Sequence, residues 1–178
     1  KTHKKLKEKY KDLITIIAPR HLDRVNSIKD ISESMGLTTG IINKSDLITN
    51  KKEVFIINYF GSLPKYFQYA KSVFIGKSTI KKLKSVGGQN PIEAASMGCK
   101  IYHGPYVYNF KEIYEFLENK KISKKINNYE ELAENLYIDL RKTKKDNNNF
   151  FPIIDEISRK VFNLTMKDIN KFLSNESI

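Results

Sequence analysis

A chain of 178 residues, 40% hydrophobic and 29% charged, is long enough for one compact domain and too short for two of ordinary size, so one folding unit is expected. No apolar run approaches the roughly 20 residues that span a bilayer, and the lysine-rich residues 1–11 do not read as a signal peptide. The domain is therefore expected to be soluble and cytoplasmic. The formal charge of +12 comes mostly from lysine, and fits either solvated helix faces or attraction to an anionic nucleotide, phosphorylated lipid or membrane surface. No finger spacing, RNP pattern or GXXG loop supports nucleic-acid binding. The lone Cys99 excludes an internal disulfide, and His3, His21 and His103 lack zinc-site spacing, so no metal is expected. The chain opens on Lys1 with helical character and is expected to be a piece of a longer protein, residues 1–12 being a leading linker or helix remnant.

In chain order, runs rich in Ile, Val and Phe at residues 13–18, 37–42, 54–57, 73–75, 100–103 and 122–126 read as strands. Between the first two, Leu22, Val25, Ile28, Ile31 and Met35 form a helical stripe that closes at Gly36, a residue suited to a helix C-cap. After the third, Ser62 is placed to cap a helix around residues 65–70. Asn90, Asn109 and Asn128 each precede Glu by three residues, the spacing of an Asn capping box, and Pro91 suits a first helical position. The helix after Asn128 carries Leu132, Leu136 and Leu140 on one face. Residues 142–149 read as a polar linker or loop, followed by helical patterns at 153–162 and 165–173, the second opening on Thr165 and Asp168. The alternation predicts a three-layer α/β/α fold, with a parallel sheet of about six strands covered by helices.

The densest chemical signal is residues 87–98. Gly87 and Gly88 let backbone approach a ligand, the helix after Asn90 offers N–H groups to a phosphate, and Glu93 is placed for ribose hydroxyls. The same residues also read as a turn and a cap alone. Pro19, Arg20 and His21 follow the first strand, at the carboxyl edge where open parallel sheets bind ligands, and Arg20 suits a bidentate phosphate contact. Phe60, Gly61 and Ser62 follow the third strand, where Gly61 allows close approach to a flat ligand. His103 closes the fifth strand and reads either as a sugar contact or as a structural histidine.

These elements in order, namely Ala18-Pro19-Arg20-His21, the Gly61 loop, Phe74-Ile75-Gly76, Gly87-Gly88-Gln89-Asn90-Pro91-Ile92-Glu93-Ala94-Ala95, and Gly104-Pro105 with Asn109-Phe110, resemble the 3-deoxy-D-manno-octulosonic acid (Kdo) transferases. The resemblance covers roughly residues 13–140. It departs at Gln89 and Tyr106, where the family pattern has His, and in the longer, more basic segment 77–86.

The resemblance implies a Rossmann-like domain, the C-terminal half of a two-domain (GT-B) glycosyltransferase. In it Pro19, Arg20, Phe60, Gly61, Ser62, Asn90, Pro91, Ile92 and Glu93 hold the nucleotide of CMP-Kdo, with His21, Gly87, Gly88, Gln89 and His103 as further candidates. The reaction it implies is inverting, metal-independent Kdo transfer to a lipid A precursor without a cofactor. The base would lie in an N-terminal acceptor domain outside this chain, and the whole protein at the cytoplasmic face of the inner membrane. Alternatives are another GT-B transferase, a UDP-sugar epimerase domain, or a basic module that binds polyanions or membranes without catalysis.

Overall fold

The computed structural model describes residues 1–46, 48, 51–142 and 150–175. All six expected strands are present, at β1 (Thr15–Ile17), β2 (Thr39–Ile42), β3 (Val54–Ile57), β4 (Ser72–Ile75), β5 (Lys100–His103) and β6 (Ser123–Lys125). They form two three-stranded parallel sheets, β1-β3-β2 and β4-β5-β6. The chain divides into two compact units, Lys1–Tyr69 with Ile126–Arg141, and Ala70–Lys125 with Lys142–Ile178.

In the first unit β3 is central, pairing Val54 with both Thr15 and Thr39, and all four of its residues are buried. A strand with neighbours on both sides and no polar residue is the pattern of a covered parallel sheet. Ile42, Phe55, Ile57 and Tyr66 form a core cluster on which Ile14, Tyr59 and Leu63 pack. Helix α1 (Thr2–Lys7) buries His3 and Leu6, and the Nδ1 of His3 lies 2.8 Å from the Thr15 hydroxyl, joining α1 to β1. Helix α2 (Val25–Ser34) ends as expected at Gly36, whose φ of +76° suits glycine. The N–H groups of Gly36 and Leu37 donate to the carbonyls of Glu33 and Ser32, the pair of bonds of a Schellman motif. The expected stripe needs one correction. Ile31 is exposed, and the buried position is Ser32, which accepts a hydrogen bond from Thr39 of β2 at 2.8 Å. A polar link between helix and sheet takes the place of an apolar contact there. The first unit is completed by α3 (Leu63–Phe67) and α6 (Tyr129–Arg141).

In the second unit β5 is central, pairing Ser72 with Lys100 and Ile101 with Ser123. Ile101, Leu117, Ile122, Ala95 and Cys99 are fully buried around it. Lys124 and Lys125 leave β6 exposed, as suits an edge strand. Helices α4 (Ile92–Ser96) and α5 (Lys111–Asn119) follow the glycine pair and β5. The two expected C-terminal helices are one helix, α7 (Phe151–Asn175). No Gly or Pro interrupts residues 163–165, so the capping expected at Thr165 gives way to continuous helix. Ile154 of α7 is buried, and the helix lies against α4. Of the polar segment 142–149, all but Lys142 lies outside the described residues.

Asn128 caps α6 as the spacing predicts: its side-chain oxygen accepts the Glu131 N–H at 2.8 Å, while Glu131 accepts from Asn127. Asn128→Ala is expected to cost about 1 kcal/mol of unfolding free energy, and Leu117→Ala about 2–5 kcal/mol by opening a cavity. Denaturant melts check both.

Candidate functional site

In the first unit, three loops leave the same carboxyl edge of one sheet. Residues 18–21 follow β1, residues 43–46 follow β2 and residues 58–62 follow β3, and these strands are parallel neighbours. The candidate residues Pro19, Arg20 and His21 are thus on the same edge as Phe60, Gly61 and Ser62. Arg20 is exposed and makes no hydrogen bond or ion pair among the described residues, so its fork is available to a ligand. His21 is exposed, and its side chain caps nothing. Phe60 is 73% exposed, one of several large apolar side chains open to solvent. Gly61 has φ +82°, which an L side chain adopts only with strain. Ser62 is buried and stands at the N-cap of α3, but its side chain does not make the expected cap bond. Tyr59 and Tyr66 share a hydroxyl contact of 3.1 Å, and burial pushes Tyr66 up to about 12. Sequence reasoning missed the link from Asn58 to Asn43 across this edge, at 3.1 Å.

A depression of about 250 Å³ in this unit, lined by Lys4, Lys7, Lys11 and Glu53 among others, is at the amino ends of β2 and β3, away from these loops. Lys4 and Lys7 already donate to the Met35 and Leu13 carbonyls.

In the second unit the glycine pair is gripped by backbone. A Cβ on Gly87 would stand 2.4 Å from the Tyr106 carbonyl oxygen, and one on Gly88, which has φ +81°, 2.9 Å from the Val107 Cα. No other residue type fits either place. The Gly88 N–H donates to the Lys77 carbonyl, and the Asn109 N–H donates to the Gly87 carbonyl. The Asn109 side chain donates to the Val86 carbonyl at 3.2 Å. This replaces the expected capping role of Asn109: it lies in a turn of 3-10 helix (Tyr108–Phe110), and Phe110 precedes α5.

Segment 77–86 is held at its start by Ser78, which is fully buried. The Ser78 hydroxyl donates to the Ile75 carbonyl and accepts the Gly104 N–H, and its carbonyl accepts the Tyr106 N–H. Gly104 is required here, since a Cβ would stand 2.3 Å from the Ser78 oxygen.

Beyond the pair, the Asn90 side-chain oxygen accepts the Ile92 N–H at 2.9 Å, while the helix begins one residue later than expected, after Pro91. Pro91 is buried and Ile92 half-buried. Glu93 is exposed and its carboxylate makes no hydrogen bond or ion pair among the described residues, so the reciprocal half of the capping box is not formed. Its carboxylate remains available. Gln89 acts through its main chain: its carbonyl accepts the Tyr114 hydroxyl at 2.8 Å. Sequence reasoning missed Tyr114 and Ser78. Tyr114 shares a helix face with Leu117, where an aromatic reads as core.

His103, a candidate sugar contact, is 1% exposed and faces protein on both ring nitrogens. Its Nδ1 lies 2.8 Å from the Gly104 carbonyl. Its Nε2 is 2.9 Å from the Glu118 carboxylate, yet off the axis of a hydrogen bond. The structure favours the structural reading. Burial holds His103 below its ordinary value of 6.5, outweighing the upward pull of Gly104 and Glu118.

Two units of parallel sheet with intervening helices, carrying glycine-punctuated loops after their strands, define a Rossmann-like α/β protein. No protein-family model matches the chain. It is similar to the 3-deoxy-D-manno-octulosonic acid transferase of Aquifex aeolicus, at 24% identity over 97% of this chain and 45% of that protein. It is 32% identical to the enzyme of the same name from Rickettsia felis, over 75% of this chain and 28% of that protein. The chain therefore spans less than half the length of these relatives. Its fold is that of the C-terminal CMP-Kdo binding domain of WaaA from Acinetobacter baumannii, with a TM-score of 0.69 and 19% identity over 78% of this chain and 70% of that one. Among the described residues no group of side chains is arranged to hold a metal ion, and no helix is long and apolar enough to cross a membrane.

Gly87→Ala is expected to displace the loop and cost about 1–3 kcal/mol as an overpacking change, read in denaturant melts. A second expectation concerns acid. Because the folded-state value of His103 is depressed, the unfolded chain binds a proton first as pH falls, so stability present above about 6.5 declines below it. His3, also lowered by burial, acts in the same direction. Urea melts at pH 7.5 and 5.5 should show a smaller loss in His103→Gln than in the wild type. An equal loss in both assigns the effect elsewhere.

Proposed function

We propose that the chain is the donor-nucleotide-binding part of a Kdo transferase, holding CMP-Kdo for transfer to a lipid A precursor. The observation that carries this reading is sequence similarity to Kdo transferases along nearly the whole chain. The fold shared with a CMP-Kdo binding domain supports it.

On this reading Arg20 takes a phosphate oxygen pair, Pro19 and residues 60–62 line the nucleotide, and residues 90–93 contact phosphate and ribose. Cleavage of the bond to the anomeric carbon builds positive charge on the sugar and releases CMP. The chain's part is to stabilise the departing phosphate. A base that activates the acceptor hydroxyl is assigned to protein outside this chain, so the chain alone binds CMP weakly and turns nothing over. The reading needs neither metal nor resident cofactor. It places the whole protein at the cytoplasmic face of the inner membrane, where a charge of +12 favours peripheral contact with anionic lipid.

Titration with CMP, followed by amide NMR, should shift residues 19–20, 60–62 and 90–93, with UDP binding more weakly. Shifts confined to surface lysines, or a preference for UDP, would overturn the reading. Arg20→Ala should weaken CMP binding by about 1.5–3 kcal/mol, the value of a charge-assisted hydrogen bond, with little change in Tm. Glu93→Gln should leave the fold intact, because no cap bond is lost, and reduce the discrimination between CMP and its 2′-deoxy analogue. An unchanged ratio would show that Glu93 does not touch the ribose.

A further inference from the structure

We propose that Tyr114 is a positioning residue for the nucleotide phosphate: its buried hydroxyl holds the Gln89 carbonyl inward and so presents the Asn90 N–H outward. The inference rests on the nucleotide reading of residues 87–93 given above.

Tyr114 is 1% exposed on α5, and its hydroxyl donates to the Gln89 carbonyl at 2.8 Å. Its ring is held in place by that of His103, with centroids 4.3 Å apart. The hydroxyl therefore has little freedom. In a trans peptide the C=O and N–H point to opposite sides, and the chain has no cis bond. Drawing the Gln89 oxygen toward the core accordingly turns the N–H of Asn90 away from it. Asn90 is exposed, and its N–H has no partner among the described residues. Its side chain, by contrast, is engaged with the Ile92 N–H.

Without the tyrosine hydroxyl, the peptide between Gln89 and Asn90 is released to rotate. One rotation replaces an N–H donor by a carbonyl oxygen at the loop surface. That exchange repels an anion where the native orientation attracts it. The other bonds on the loop do not prevent it: Asn109 holds Val86 and Gly87, and Lys77 holds Gly88. Tyr114 is the only side chain bonded to residue 89 among the described residues.

Tyr114→Phe removes one oxygen atom and keeps the ring against His103. CMP and cytidine are titrated into the 178-residue wild type and the variant. The expected result is a CMP affinity lowered by about tenfold, the scale of one lost hydrogen bond, with cytidine affinity unchanged. Leu117→Ala serves as a control, lowering Tm without changing the ratio of the two affinities. Equal affinities in variant and wild type, or parallel losses for CMP and cytidine, would overturn the positioning role while leaving the nucleotide site standing. Failure of the wild type to bind CMP overturns the nucleotide reading itself and this inference with it. Should the variant not fold, the wild type still decides: the Asn90 amide must shift with CMP and not with cytidine, and its indifference to CMP sinks the proposal.

Discussion

The close approach of two backbones at Ser78 and Gly104 organises the second unit. Parallel strands deliver consecutive loops to one edge of a sheet, where the carbonyls and N–H groups that leave the ladder need new partners. Here β4 and β5 satisfy one another's loops. A fully buried serine closes three hydrogen bonds, to the Ile75 carbonyl and the Gly104 and Tyr106 N–H groups. The missing side chain of Gly104 is what permits it. From that junction the chain returns at Gly87 and Gly88 to lie against Tyr106 and Val107, so the glycine pair rests on a surface that Ser78 has already fixed. Rigidity in the candidate site thus originates in backbone contacts rather than in the residues that would meet a ligand.

Much of the fold is legible in the sequence because most of its strands are short runs rich in apolar residues, though β6 itself is Ser-Lys-Lys between two isoleucines. Val54 to Ile57 and Lys100 to His103 begin and end where the composition places them. Gly36 and Asn128 show their capping roles for similarly local reasons: one needs a positive φ, the other a side-chain oxygen beside a helix start. Ile31 and Asn109 are misread because their roles depend on distant partners. Ile31 satisfies helical periodicity, yet the hydrogen bond between Ser32 and Thr39 rotates the buried face away from it. Asn109 has capping-box spacing, but the carbonyl of Val86, 23 residues earlier, engages its side chain. Thr165 and Asp168 look like a helix start, while no Gly or Pro just before them stops the helix already under way.

The candidate site divides in the same way. Arg20, Phe60 and Glu93 are recognisable as candidates because they combine exposure with a position after a strand or at a helix start, and the structure leaves each of them open to solvent. Tyr114 and Ser78 are not recognisable, since a buried tyrosine and a buried serine look in sequence like core and loop. His103 shows how burial decides between two readings. A ring 1% exposed, with a carbonyl and a carboxylate at its two nitrogens, is committed to the protein and is not presented to a sugar.

This division bears on the two positions where the chain departs from the Kdo transferase pattern. Gln89 enters the loop's architecture through its carbonyl, and Tyr106 through its N–H to Ser78 and the contact of its carbonyl with Gly87. Main-chain groups are common to every residue type other than proline, whose N–H is missing. Replacing the family's histidine at either place therefore leaves the interlock of the loops unchanged. The positions that the backbone interlock does constrain, Gly87, Gly88 and Gly104, keep their glycines. Substitution at 89 and 106 changes only what projects from that main-chain frame: a neutral amide and a phenol in place of two imidazoles that titrate near neutrality. A loop built in this way separates its own geometry, set by main chain, from the chemistry at its surface, set by side chains that the main-chain bonds do not constrain.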